Sequence, residues 1–214
     1  MDARGGSAYS RRVNDRTRPL AEGEIVLKPT YPIETERLLL RPYTDADLDD
    51  LYAFRSRPDV VRYLYEEAET REEVVAALER RKKRGVLTEE GAGLVTAVEL
   101  KGTNRVIGDV VLVWLSEEHK QGEIGFIFHP DFHGRGYATE AAREMLRLGF
   151  GDLGLHRIIG RCDARNTASA RVMERLGMRL EAHFRENEWF KGGWGDELIY
   201  AMLAAEWEAR RPTP

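Results

Sequence analysis

Apolar residues recur along this chain at two different spacings, and the switches between them outline the elements. Residues 36–42, Glu36-Arg37-Leu38-Leu39-Leu40-Arg41-Pro42, form a short apolar run between turn signals and read as a first strand, with residues 24–28 as an earlier alternative. Thr44 then caps a helix over residues 45–54, with acids in its first turn, that ends before Pro58. A second helical segment starts near Asp59. A third follows Thr70-Arg71-Glu72-Glu73, a capping-box pattern, with Val74, Val75 and Leu78 on its buried side. In the middle of the chain, residues 93–100, 105–115 and 123–128 read as three strands. Lys101-Gly102-Thr103-Asn104 supplies a hairpin turn, so the three should form an antiparallel meander. Helical spacing returns with Ala138, Ala141, Ala142, Met145 and Leu146, predicting a helix over 138–150. A strand over 156–162, a helix over 167–176 stopped by Gly177, and two final strands over about 178–184 and 197–203 complete the order.

That order lacks the uniform alternation of a doubly wound fold, so the expected class is α/β in composition but α+β in arrangement. It implies one domain built on a mixed, mostly antiparallel sheet of about seven strands with helices on both faces. The strand ending at Phe128, the following helix and the strand from His156 make a βαβ unit whose two strands run parallel. A length of 214 residues, 42% hydrophobic and 33% charged, suits a single core. Residues 1–22 are polar and Arg-rich and read as a disordered tail, leaving 23–210 as the folded domain.

Net charge of −4 and a pI near 5.8 argue against a nucleic-acid binder, and Arg80-Arg81-Lys82-Lys83-Arg84 reads as a helix end completed by Gly85. No apolar run approaches a membrane span and none resembles a signal peptide. The lone Cys162 excludes an internal disulfide, fits a reducing cytoplasm and, with no Cys or His partner at ligand spacing, gives no metal site. It reads as a packed strand residue.

The densest chemical signal is His133-Gly134-Arg135-Gly136-Tyr137-Ala138-Thr139-Glu140-Ala141, which joins an apolar strand to an amphipathic helix through two glycines. Amides at a helix start have no intrahelical partner and carry partial positive charge, so this segment favours a phosphate or pyrophosphate. A dinucleotide fingerprint would need glycine where Thr139 stands and a place after the first strand; a Walker loop would need Gly-Lys-Ser/Thr. What remains is a strand-to-helix cradle in a mixed sheet, the arrangement that coenzyme A binding would use.

Several pieces together make the chain resemble the GCN5-related N-acetyltransferase (GNAT) superfamily, in particular its ribosomal-protein N-terminal acetyltransferases. They are Thr35-Glu36-Arg37-Leu38-Leu39-Leu40-Arg41, Gly122-Glu123-Ile124-Gly125-Phe126, the segment 134–141, Asn166-Thr167-Ala168-Ser169 and Leu176-Gly177-Met178. The chain departs from the family at His133, where Gln or Arg is common. The resemblance implies the GNAT fold and acetyl-CoA as cosubstrate without a metal, with Phe126, Ile127 and Phe128 along the pantetheine arm, His133, Gly134, Arg135, Gly136, Tyr137, Ala138 and Thr139 at the pyrophosphate, and Asn166 and Ser169 beside the arm. It also implies Ser169 as proton donor to the leaving thiolate and, nineteen residues on, Glu188 as the base that deprotonates the amine.

Glu123 is a rival base, and a backbone amide splayed from its strand would stabilise the oxyanion. Tyr200 is a further possible proton donor whose expected job is core packing. Trp189, Phe190, Trp194, Asp196 and Glu197 suit either a substrate rim or a homodimer seam. The expected activity is acetyl transfer to a protein N-terminal or small-molecule amine in the cytoplasm. An aminoglycoside or other small-amine acetylase is the alternative, and a non-catalytic acyl-CoA-binding regulator is the competing class.

Overall fold

The computed structural model describes residues 26–210, so the tail expected over 1–22 lies outside the described residues. Eight strands form one sheet in the order β1-β2-β3-β4-β5-β6-β8-β7. In chain order they are β1 (Ile33–Glu34), β2 (Leu38–Arg41), β3 (Gly93–Leu100), β4 (Arg105–Ser116), β5 (Gln121–Phe128), β6 (Arg157–Asp163), β7 (Arg179–Phe190) and β8 (Gly193–Leu203). The helices are α1 (Leu48–Arg55), α2 (Pro58–Val61), α3 (Arg71–Lys82), α4 (Tyr137–Arg147), α5 (Thr167–Leu176) and α6 (Ala204–Glu208). Every neighbouring strand pair is antiparallel except β5 with β6, which flank α4 as the βαβ unit requires.

Strand alternation divides the core into two layers. Leu38, Leu40, Leu94, Val98, Val110 and Leu112 meet Met145 and Leu146 of α4 and Met173 of α5 on one face. Val95, Ala97 and Val111 meet Leu51 and Phe54 of α1 and Val74 and Leu78 of α3 on the other. Helices therefore cover both faces. The capping box at Thr70 is present, with its hydroxyl accepting from the Glu73 amide at 3.3 Å, and α3 ends at Lys82 as its basic run suggests. Cys162 lies on β6 against the core, where burial pushes its thiol up to about 12.

Three features differ from expectation. The eighth strand is the two-residue β1, paired to Leu39 and Leu40 and too short to leave a periodic signal. The helix after the cradle closes at Arg147 and continues as a π turn over Leu148–Asp152. The largest difference lies at the end of the sheet, where residues 185–197 belong to a long β7–β8 hairpin instead of a loop. Lys191 and Gly192, at φ 46° and 82°, make the two-residue turn, which matches the twist of the strands it joins. A bulge at Arg185-Glu186-Asn187, with Glu186 at φ 46°, shifts the register between Phe184 and Glu188. As an edge strand exposed on much of its length, β7 shows no apolar alternation for a sequence reading to follow.

Candidate active site

The parallel pairing of β5 and β6 lasts only three residue pairs, Gln121 with Arg157, Gly122 with Ile158 and Glu123 with Ile159. Beyond Glu123 the strands diverge, although β4 keeps its grip on β5 as far as Phe128 and β8 keeps its grip on β6 as far as Asp163. The facing edges of Ile124–Phe128 and Gly160–Asp163 are thus left as the two walls of a V. A cleft of about 570 Å³ runs through it from one face of the sheet to the other.

On the α4 face the cleft is lined by Phe126, Phe128, Phe132, His133, Gly134, Gly136, Tyr137 and Ala138. Gly134 and Gly136 stand at φ 75° and 83°, left-handed positions that a β-carbon strains. Gly136 is the N-cap and offers no side-chain cap, and the first intrahelical bond is from Glu140 N–H to the Gly136 carbonyl at 3.0 Å. The amides of Tyr137, Ala138 and Thr139 are the orphan donors of the helix start, the geometry that receives an anion. A coenzyme A pyrophosphate fits this cradle by its donors and its open glycines.

The side chains divide. His133 holds the Phe128 carbonyl through Nε2 at 2.9 Å, so it braces the loop. Arg135 lies outside the cleft lining, with its guanidinium 5.9 Å over the Phe132 ring, and Thr139 turns its hydroxyl into the protein without a hydrogen-bond partner.

Asn166 caps α5, its Oδ1 accepting from the Ser169 amide at 3.1 Å, which leaves the Asn166 amide nitrogen and the Ser169 hydroxyl toward the cleft that both residues line. Across the V, strand alternation sends Glu123, Arg161 and Glu197 to the opposite face of the sheet from Phe126. Glu123 is only 8% exposed and is held by Arg161 through both oxygens, at 2.9 Å from Nη2 and 3.2 Å from Nε. This fork pairs the carboxylate with the guanidinium of the facing strand.

Arg161 also lies 3.7 Å from Glu197 Oε1, and Asn187 Nδ2 donates to Glu197 Oε2 at 3.1 Å. Burial raises the Glu197 carboxyl above its ordinary value; Arg161 opposes this, and the nearby Glu188 and Glu123 charges reinforce it. Glu188, half-buried on β7 and paired with Gly195, lines the same cleft, so it is a strand residue facing the site.

A family model for the Acetyltransferase (GNAT) domain matches residues 37–179. The chain belongs to the GNAT acetyltransferases. Among GNAT relatives, the uncharacterized N-acetyltransferase YnaD of Bacillus subtilis is 36% identical over 180 residues, covering 82% of this chain and 98% of its own. Spermidine N(1)-acetyltransferase of Escherichia coli is 25% identical over 175 residues, covering 82% and 90%. A crystal structure of a GNAT-family acetyltransferase from Bacillus anthracis superposes with a TM-score of 0.73 at 35% identity, covering 81% of this chain and 99% of that one. The protein is accordingly an acetyl-CoA-dependent N-acetyltransferase with the GNAT fold.

In this GNAT site Arg161 is a lining group that carried no sequence signal. Arg161 and Glu197 are brought together by β6–β8 pairing, and the roof comes from the segment after α2. Lys191, at the hairpin tip, donates to the carbonyls of Val61 at 2.8 Å and Glu66 at 3.0 Å, while Phe190 meets Tyr65 edge-on at 5.1 Å. The aromatic group expected as one rim is split. Phe190 lines the cleft with Asp196 and Glu197, whereas Trp189 and Trp194 pair with each other at 5.5 Å outside it and are 61% and 57% exposed. Tyr200 is buried and donates to Glu174 Oε1 at 3.0 Å, in keeping with a place in the core. Among the described residues no cluster of His, Cys, Asp or Glu is placed to hold a metal ion, and no helix is long and apolar enough to cross a membrane.

Proposed function

We propose that the protein transfers the acetyl group of acetyl-CoA directly to a primary amine, with Ser169 and Glu188 on the two banks of the V as acid and base. The observation that carries this reading is the single cleft they share: Ser169 enters it from α5 and Glu188 and Glu197 from the β7–β8 hairpin, with the unpaired edge of β5 between them. Bound acetyl-CoA supplies the activated acyl group. The cradle amides of residues 133–138 hold its pyrophosphate, Phe126, Ile127 and Phe128 present backbone to its arm, and Asn166 bonds the same arm.

An amine arriving at neutral pH carries a proton that must leave before attack. Glu188, helped by the raised carboxyl of Glu197, accepts that proton directly or through water. A backbone amide freed after Glu123 donates to the carbonyl oxygen as charge develops there. As the C–S bond breaks, Ser169 returns a proton to the sulfur. Glu123, held by Arg161, orients the wall and is the rival base.

Two observations favour a small cationic amine over a protein N-terminus: the hairpin tip is pinned across the cleft by Lys191, and the acceptor wall is rich in carboxylates, with Asp59, Glu66, Asp196 and Glu197 among them. The similarity to a spermidine acetyltransferase supports the same class. The exposed Trp189–Trp194 pair is better suited to a homodimer seam than to the substrate. A CoA-release assay against polyamines, aminoglycosides and N-terminal peptides tests the proposal. Turnover of a small amine that falls in Ser169→Ala and Glu188→Gln is expected. Turnover of peptides alone would remove the small-amine reading, and no turnover of any amine with intact CoA binding would leave an acyl-CoA-binding module.

A further inference from the structure

The motif Thr35-Glu36-Arg37 has no task in the chemistry above, yet its side chains end at the cradle. Thr35 Oγ1 donates to Glu140 Oε1 at 2.6 Å, and the Arg37 amide donates to the same oxygen at 2.8 Å. Arg37 Nε and Nη2 hold Glu140 Oε2 at 2.7 and 2.6 Å, while Nη1 donates to the Arg135 carbonyl at 2.9 Å. The guanidinium lies 4.6 Å from the centre of the Tyr137 ring, and a β-carbon on Gly136 would stand 3.4 Å from its Nη2. One arginine therefore grips three residues of the cradle and its first helical turn.

Two physical consequences follow. Glu140 places a carboxylate in the first turn of the helix whose start must receive a pyrophosphate, and an unpaired charge there would repel the ligand. Burial favours its neutral form, but the bonds from Thr35 and Arg37 outweigh burial and hold the carboxyl below its ordinary value, so it stays charged. Arg37 is the cation that cancels it. The second consequence comes from peptide planarity: with the Arg135 carbonyl fixed toward Arg37, the Gly136 N–H of the same trans peptide must point the other way.

We propose that Arg37 is a positioning residue for coenzyme A: it screens Glu140 from the pyrophosphate and turns the Arg135–Gly136 peptide so that its N–H faces the ligand. The proposal rests on the reading of residues 133–138 as the pyrophosphate cradle. It is tested by calorimetric titration of the full chain with CoA, alongside pantetheine, which lacks the pyrophosphate. Arg37→Ala should weaken CoA about tenfold and leave pantetheine unchanged, with kcat at saturating acetyl-CoA within about twofold.

Removing the carboxylate as well, in Arg37→Ala/Glu140→Gln, should recover part of the CoA affinity, because the unscreened charge is gone. A double variant no better than Arg37→Ala, or an Arg37→Ala protein that binds CoA as the wild type does, overturns the proposal. Should Arg37→Ala melt below the assay temperature, Arg37→Lys carries the test: it keeps the charge and loses the fork, so CoA should weaken about threefold, and unchanged affinity refutes the clamp. Gly136→Val separates the two levels. If it leaves CoA binding intact, the cradle reading itself fails; if it abolishes binding while Arg37→Ala does not, only the clamp fails.

Discussion

The two banks of the cleft are built from different materials. On the α4 face the cleft presents main chain: glycines at positive φ, orphan amides at a helix start, and the bare edge of β5. On the hairpin face it presents side chains, Glu188, Glu197, Arg161, Phe190 and Tyr65, brought from β6, β7, β8 and the segment after α2. A main-chain site requires particular backbone angles, so few residue types can serve it. A side-chain site requires only that charge and shape converge in space, which many sequences can achieve. The main-chain half is therefore tightly constrained in sequence, whereas the side-chain half can vary without disturbing the fold.

That contrast can be broken by substitution. The largest effect is expected on the acceptor bank, where Glu188→Gln should lower kcat on the order of 100-fold or more while leaving the acetyl-CoA KM unchanged, since the cradle does not touch it. On the opposite bank Ser169→Ala should lower kcat by a similar factor, because Asn166 bonds the Ser169 amide and the cap survives loss of the hydroxyl. A rise in acetyl-CoA KM in Glu188→Gln would show that the two banks are not separable. On the donor bank Gly134→Val, at φ 75° with open space around it, should raise the acetyl-CoA KM about tenfold through backbone strain and leave the acceptor KM alone. Steady-state kinetics with each substrate varied in turn distinguishes these patterns.

The same contrast explains what could be read from the chain. The meander, the βαβ unit and the helix start at Tyr137 follow from local periodicity and from glycines, and the structure places them within a few residues of expectation. Arg161 gave no comparable signal, because its meeting with Glu197 depends on β8 pairing between β6 and β7, a long-range choice. The resemblance points to Glu188, nineteen residues after Ser169, but the strand that carries it leaves no periodic trace: Arg185-Glu186-Asn187 bulges at a sheet edge, and Gly192 serves a tight turn within a continuous hairpin. The Thr35 and Arg37 motif was legible as a resemblance, but its contact with Glu140, more than 100 residues away, appears only in the fold.

Smaller effects sharpen the division within the acceptor bank between anions that stabilise and an anion that costs stability. Glu123→Gln leaves the mostly buried Arg161 without its fork and should destabilise by about 2 kcal/mol, measured by denaturant unfolding, with less loss of kcat than Glu188→Gln. Glu197 should show the opposite sign. Its carboxyl is raised in the folded state, so the folded protein binds that proton more readily than the unfolded chain does. The resulting stabilisation is complete below the ordinary glutamate pKa and is lost as pH rises through the raised folded value. Glu197→Gln removes the titration, and at pH 8 it should melt on the order of 2 °C above the wild type, an advantage that disappears toward pH 4. The same substitution should depress turnover, because Glu188 then works without the neighbouring carboxyl that assists it. A Glu197→Gln protein that is less stable at pH 8 than the wild type would mean that attraction to Arg161 outweighs burial. Glu197 would then belong with Glu123 among the structural anions, leaving Glu188 to act alone.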